Sequence, residues 1–281
     1  MLSNSFIHIP GIGTITEKRF WESGAHSWDD FTAELSIRLS QSRKGTIATY
    51  LQESHMHLNS GNPSYFSDLL PANQHWRLFP DFRHSTVYLD IETTGLSMWG
   101  SEITTIALYN GESIFYYVNG KNLDAFLDEI KKYKVIVTYN GKSFDVPFIE
   151  SHFGIMLNHA HIDLRYILAS LGYGGGLKGC ETQAGIDRGD LKGIDGYFGV
   201  LLWDDYQENG NEKALETLLA YNIQDTINLE TLMVIAYNLK IGQTPFYENQ
   251  IPEPALPKNP FEADMKTVAR IKGNLEYIKI V

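Results

Sequence analysis

Residues 85–118 constrain the fold more than any other stretch of the chain. Val87, Leu89 and Ile91 alternate with Tyr88, Asp90 and Glu92, the two-residue period of a strand, so Asp90 and Glu92 project from one face. Apolar runs at 103–109 and 113–118 follow, joined around Asn110-Gly111, a pair suited to a two-residue turn with positive φ. Three antiparallel strands are therefore expected in succession. Asn122 is placed to cap a helix whose Leu123, Phe126, Leu127 and Ile130 form one apolar stripe. A short buried strand at 135–138, a helix through Phe148 and Ile149 that stops near Gly154, and a last strand around 161–164 complete the pattern. The fold class is α/β: a mixed sheet, three antiparallel strands followed by parallel ones, flanked by helices.

Four regions are expected. Residues 1–45 read as helical, with one helix starting at Thr14 or Thr16 and stopping at Gly24, and a second from Ser27 through Asp29, Phe31 and Leu35. Residues 46–84 read as a mixed connector packed on the core, with a turn at 59–63. Residues 85–242 form the α/β domain, helical over 177–240 with Gly-rich breaks at 172–176, 193–199 and 210. Residues 243–281 are a Pro-rich extension, expected to be extended backbone.

The 281 residues suffice for one large or two small domains with a filled apolar core. No stretch is apolar enough to span a membrane, and the start lacks a basic-then-apolar secretory pattern, so a cytoplasmic location and no membrane partner are expected. Cys180 is the single cysteine, which excludes an internal disulfide and a multi-cysteine zinc site. The net charge of −11 runs against binding nucleic acid, whose phosphates call for clustered Lys and Arg. Its distribution weakens the objection: residues 85–242 hold 21 acidic and 11 basic side chains, whereas the flanking regions are nearly balanced. Four middle carboxylates holding two divalent cations would bring positive charge to where a phosphate lands.

Phosphodiester hydrolysis without a covalent intermediate needs an activated water on one side of phosphorus and a stabilised leaving oxygen on the other, and two divalent ions supply both. Hard oxygen ligands suit Mg²⁺ or Mn²⁺, so Asp and Glu are the residues to seek. Asp90-Ile91-Glu92-Thr93-Thr94-Gly95-Leu96 ends the first strand with two carboxylates on one side. Asn140-Gly141-Lys142-Ser143-Phe144-Asp145 puts Asp145 at a helix start just after a strand. Tyr221-Asn222-Ile223-Gln224-Asp225, if helical, turns Tyr221 and Asp225 to one face. Alone, Asp145 reads as a helix cap and Tyr221 as core; together with the first segment they read as a site. His159 and His161 before Asp163 form a competing third element, ranked second because too little chain separates them from Asp145.

These three segments resemble the motifs of DEDD exonucleases, the ribonuclease H-like group that includes polymerase proofreading domains and RNase D, in its tyrosine subclass. Motif spacing and the segment Gly175-Gly176-Leu177-Lys178-Gly179-Cys180-Glu181 are most similar to a YprB-like branch, and the resemblance covers roughly residues 85–240. It implies a two-cation 3′–5′ exonuclease in which Asp90 bridges both ions, Glu92 and Asp225 complete the first ion's shell, and Asp145 holds the second. Tyr221 would orient the attacking water. The backbone at Thr93, Gly95 and Leu96 and the side chains of Asn140 and Phe144 would shape a slot for the terminal nucleotide. Lys178 either approaches a phosphate or is an ordinary exposed lysine, the second reading being preferred.

Ile9-Pro10-Gly11-Ile12-Gly13-Thr14 with Lys18 resembles a helix-hairpin-helix element, although residues 3–8 are too short for its first helix. It implies either a DNA-backbone contact through Gly11, Gly13 and Lys18 or a packing role. The leading expectation is cleavage from the 3′ end of a single strand, DNA ahead of RNA. The alternatives are RNA trimming, structure-selective endonuclease activity, and a non-catalytic nucleic-acid adaptor.

Overall fold

A computed structural model of the chain describes residues 1–32, 39–97 and 100–278. Its centre is a mixed sheet of β1 (Thr86–Thr93), β2 (Ile103–Tyr109), β3 (Ile114–Val118), β4 (Val135–Thr138) and β5 (Ala160–Asp163), in the spatial order β3-β2-β1-β4-β5. The first three strands are antiparallel, whereas β4 and β5 run parallel to β1, as expected for this α/β class. Tyr88 lies opposite Tyr109 and Asp90 opposite Ala107, and the register slips between Glu92 and Thr93. That irregularity falls at the end of β1, next to the two acids.

Helices cover both faces. The N-terminal half carries α1 (Thr14–Glu22), α2 (Gln41–Asn59), α3 (Pro63–Leu69) and α4 (Phe79–Phe82). Within and after the sheet come α5 (Phe126–Ile130), α6 (Asp145–Phe153), α7 (Leu164–Ala169), α8 (Gly176–Gln183), α9 (Gly196–Asn209), α10 (Glu212–Ile241) and α11 (Met265–Ile278). Val87, Leu89 and Ile91 face α5 and α6, packing with Phe126, Ile130, Phe148 and Ile149. Tyr88 turns to the opposite face with Val135, Val137 and Ile162, packed with Ile223, Ile227 and Leu232 of α10. The alternation of β1 therefore carries Asp90 and Glu92 to the side on which α10 lies. Each fully buried Val, Leu, Ile or Phe on these faces stabilises by roughly 1.5–3 kcal/mol.

Local details depart from expectation where side chains find other partners. Tyr109 pairs with Ile114, so the β2–β3 loop spans 110–113 instead of two residues, with Gly111 at φ 92 and the Asn110 side chain accepting from the Glu112 and Ser113 N–H groups. Asn122 does not cap the next helix; its side chain accepts from Val118 N–H and donates to the Tyr116 carbonyl. The helix expected from Ser27 is one 3-10 turn, Trp28–Asp30, and Leu35 falls outside the described residues. Residues 46–84 are chiefly helical, not mixed, with the turn near residue 60 where expected. The Ser40 hydroxyl caps α2, and Pro63 starts α3. The Pro-rich segment is irregular, but α11 follows it.

The N-terminal region is tied to the rest by a buried acid. Glu17 of α1 accepts the Phe6 and Ile7 N–H groups at 2.7 and 3.2 Å and pairs with Arg77 at 2.7 Å. The Arg77 guanidinium in turn lies over the Trp76 ring. No helix among the described residues is long and apolar enough to cross a membrane.

Candidate active site

Three elements bring the acids together. The end of β1 supplies Asp90 and Glu92, α10 supplies Tyr221, Asn222 and Asp225, and the start of α6 supplies Asp145. Carboxylate oxygens of Asp90, Glu92 and Asp225 lie within 4.8 Å of one another. Asp145 joins them through the backbone, because the Ile91 N–H donates to its Oδ1 at 3.2 Å. All four line one cavity of about 720 Å³. One helical turn separates Tyr221 from Asp225, so both reach it.

Burial sets the electrostatics. It pushes the Asp90 and Glu92 carboxyls well above the usual carboxylate range, followed by repulsion from Asp145 and Asp225 at Asp90 and from Asp225 at Glu92. Burial also raises Asp145 to about 7, against the opposing hydrogen bonds from backbone N–H groups. Asp225 is raised by burial, with Arg188 opposing. The Tyr221 phenol is raised by burial and the surrounding carboxylates, so it stays protonated and can donate. The acids stay above their ordinary range even though Arg188 and Lys178 oppose the shift at Glu92 and Asp225, so the site accommodates further positive charge. Oxygen donors in this arrangement fit a hard divalent cation, which would lower every one of these pKa values.

A family model described as the RNase H superfamily matches residues 87–237. The chain belongs to the RNase H superfamily. Among solved structures it is similar to the family B DNA polymerase from the hyperthermophilic archaeon Pyrobaculum calidifontis, at 14% identity and a TM-score of 0.38. That similarity covers 56% of this chain and 29% of the polymerase chain, so it spans under a third of that protein. No curated protein matches.

In this superfamily member every slot residue read from the sequence reaches the same cavity: Thr93, Gly95, Leu96, Asn140 and Phe144 line it beside the acids and Tyr221. Leu96 is 88% exposed there. Asn140 adopts φ 67 and donates its N–H to Asp163 at 2.7 Å, while its side-chain oxygen accepts from Arg165. A Cβ on Gly141 would come within 2.4 Å of Thr138 Oγ1, so only glycine fits this turn.

The competing histidine element is not at the site. His161 is held by Thr138 and His159 by the Ile130 carbonyl, while Asp163 accepts three backbone N–H groups that shape the 140–142 turn and start α7. At the N-terminus, Gly11 has φ 74 with Arg43 donating to the Pro10 carbonyl, Gly13 precedes α1 in extended conformation, and Lys18 is exposed beside Glu22. None of the three lines the acidic cavity.

Four groups at the site escaped the sequence reading. Asn222 is fully buried, donates to Asp90 Oδ2 at 2.7 Å and accepts from Thr105, which fixes the Asp90 rotamer. Arg188 pairs with Asp225 and with Glu181, the latter at 2.6 Å, and its guanidinium lies 5.4 Å from the Tyr221 ring centre. Glu181 is fully buried and also accepts from Asn228. Gly199 leaves room for Glu92, since a Cβ there would sit 2.8 Å from Glu92 Oε2. Lys178 is not an ordinary exposed lysine: half-buried, it donates to the Ile194 carbonyl and stands 4.7 Å from the Tyr221 ring centre. Asn222 and Lys178 adjoin the motifs and were within reach of inspection, whereas nothing periodic marks Arg188.

Proposed function

We propose that the chain is a 3′–5′ exonuclease that hydrolyses single strands, DNA ahead of RNA, with two Mg²⁺ or Mn²⁺ ions. The reading rests on one observation: Asp90, Glu92 and Asp225 converge from a strand and a helix with oxygens within 4.8 Å, on the wall of a cavity open to solvent. When bound, the ions supply an activated water on one side of phosphorus and positive charge for the leaving oxygen on the other.

The chain's own residues do the rest. Asp90, oriented by Asn222, and Glu92, Asp225 and Asp145 hold the ions. The protonated Tyr221 hydroxyl orients the attacking water by hydrogen bonding and does not serve as the base. Phe144, Tyr173 and the 64% exposed Tyr197 line the cavity with Leu96 and offer faces on which unpaired bases can stack. Arg165 adds positive charge on the rim. The 3′–5′ polarity follows from the DEDD-type motifs.

The test uses oligonucleotides labelled at either end, with Mn²⁺. The wild-type protein should give a ladder of single-nucleotide steps from the 3′ end. Asp90→Asn or Asp225→Asn should slow it by about three orders of magnitude, a loss of several kcal/mol of charge stabilisation. Undiminished cleavage by the double variant removes the proposal, and internal cuts at early times reassign it as an endonuclease.

A further inference from the structure

A second cavity, of about 400 Å³, lies between α1 and the C-terminal end of α10. Fifteen residues of helix separate Asp225 from Lys240, placing it about 22 Å from the acidic site along the axis. We propose that it is a phosphate-binding site built on Lys240 and Gln74.

Both side chains are only 9% exposed, and both are incompletely partnered. The Gln74 oxygen accepts from Trp76 Nε1 and Arg77 Nε, which leaves its amide N–H₂ without an acceptor among the described residues. Three cations line the cavity, Lys18, Arg77 and Lys240, against two carboxylates. Those carboxylates are taken: Glu22 lies beside Lys18 at 3.9 Å and Glu17 is paired with Arg77 at 2.7 Å. Lys240 is thus the uncompensated charge, and Arg77 beside it adds repulsion.

Both donors line the cavity, and neither has a protein acceptor there among the described residues, so the wall presents an ammonium and an amide side by side to whatever enters. An anion with several acceptor oxygens satisfies the Lys240 ammonium and the Gln74 amide at once, through charge-assisted bonds. A lysine that merely buried its stem and left its head in water would account for Lys240 alone. It would not account for the unpartnered Gln74 amide lining the same cavity.

The experiment titrates inorganic phosphate into the full chain in EDTA, with thermal melting and tryptophan emission as readouts, because Trp21 and Trp76 line the cavity. Wild type should respond saturably. Lys240→Met should weaken the response at least about tenfold. Gln74→Glu retains an acceptor for Trp76 and Arg77 while adding a carboxylate to the cavity that Lys240 lines, so it should lose the phosphate response. This second variant keeps the test decisive if Lys240→Met folds poorly. No saturable response in wild type, or an unchanged midpoint in both variants, overturns the proposal. Displacement of phosphate by a single-stranded oligonucleotide assigns it to a strand backbone, and displacement by a nucleoside monophosphate alone assigns it to a free nucleotide.

Discussion

Asp145→Asn should stabilise the cation-free protein at neutral and alkaline pH. Asp145 is 4% exposed, and folding raises its pKa from 3.8 to about 7. The folded state thus holds the proton more tightly than the unfolded chain does. The stability this contributes is fully present below about pH 4 and is lost as pH rises through about 7. A shift of about three units corresponds to about 4 kcal/mol of native-state destabilisation once the group is ionised. Asparagine keeps an oxygen for the Ile91 N–H and carries no charge, so the variant escapes that cost. In EDTA at about pH 8 it should melt on the order of 10 °C above wild type, with the gap closing towards about pH 4. Asp90 and Glu92 shift in the same direction, so a weaker pH slope should persist in the variant. Saturating Mn²⁺ should reverse the order, because only the wild-type site offers the full set of acids. A gap between variant and wild type that does not change with pH in EDTA would refute the reasoning that burial of an ionised Asp145 strains the fold.

Arg188→Met leaves Glu181 and Asp225 without their shared partner, and breaking buried ion pairs of this kind costs about 3–5 kcal/mol. The loss should appear as a lower melting temperature in EDTA, with a Mn²⁺-induced rise larger than that of wild type; a rise no larger would show that Arg188 does not stand in for a cation at Asp225. Gly199→Ala presses a methyl group to 2.8 Å from Glu92 Oε2 and should displace that carboxylate. At about 2 kcal/mol of strain, Mn²⁺ affinity should fall roughly thirtyfold by calorimetry, with the overall fold unchanged by circular dichroism.

How much of this was legible depends on whether a periodic backbone carries the residue. The alternation of β1 announces two faces, and it puts Val87, Leu89 and Ile91 in one core and Asp90 and Glu92 on the other side. The four-residue spacing of Tyr221 and Asp225 does the same on α10. Where a side chain chooses its own partner, periodicity is silent. Asn122 could cap a helix or bind back to β3, and both satisfy its amide equally well on paper. Residues 46–84 read as a mixed connector because α2 carries few apolar residues in a regular stripe, burying only Ile47, Leu51 and Ser54. Its contacts come from tertiary packing.

Arg188 illustrates the boundary most sharply. It comes from the 187–195 segment, between α8 and α9, whose path no repeat dictates. A charge argument could still have pointed to such a residue. Residues 85–242 hold twenty-one acids against eleven bases, and once four of the acids are drawn into a buried site a paired base is one way to offset them. Which base enters is settled by reach: the guanidinium spans two carboxylates at once, Glu181 and Asp225, whereas the Lys178 ammonium lies over the Tyr221 ring. The same reasoning connects the net charge of the chain to the chemistry of the site, because the excess of acids is tolerable only where cations, fixed or bound, complete it.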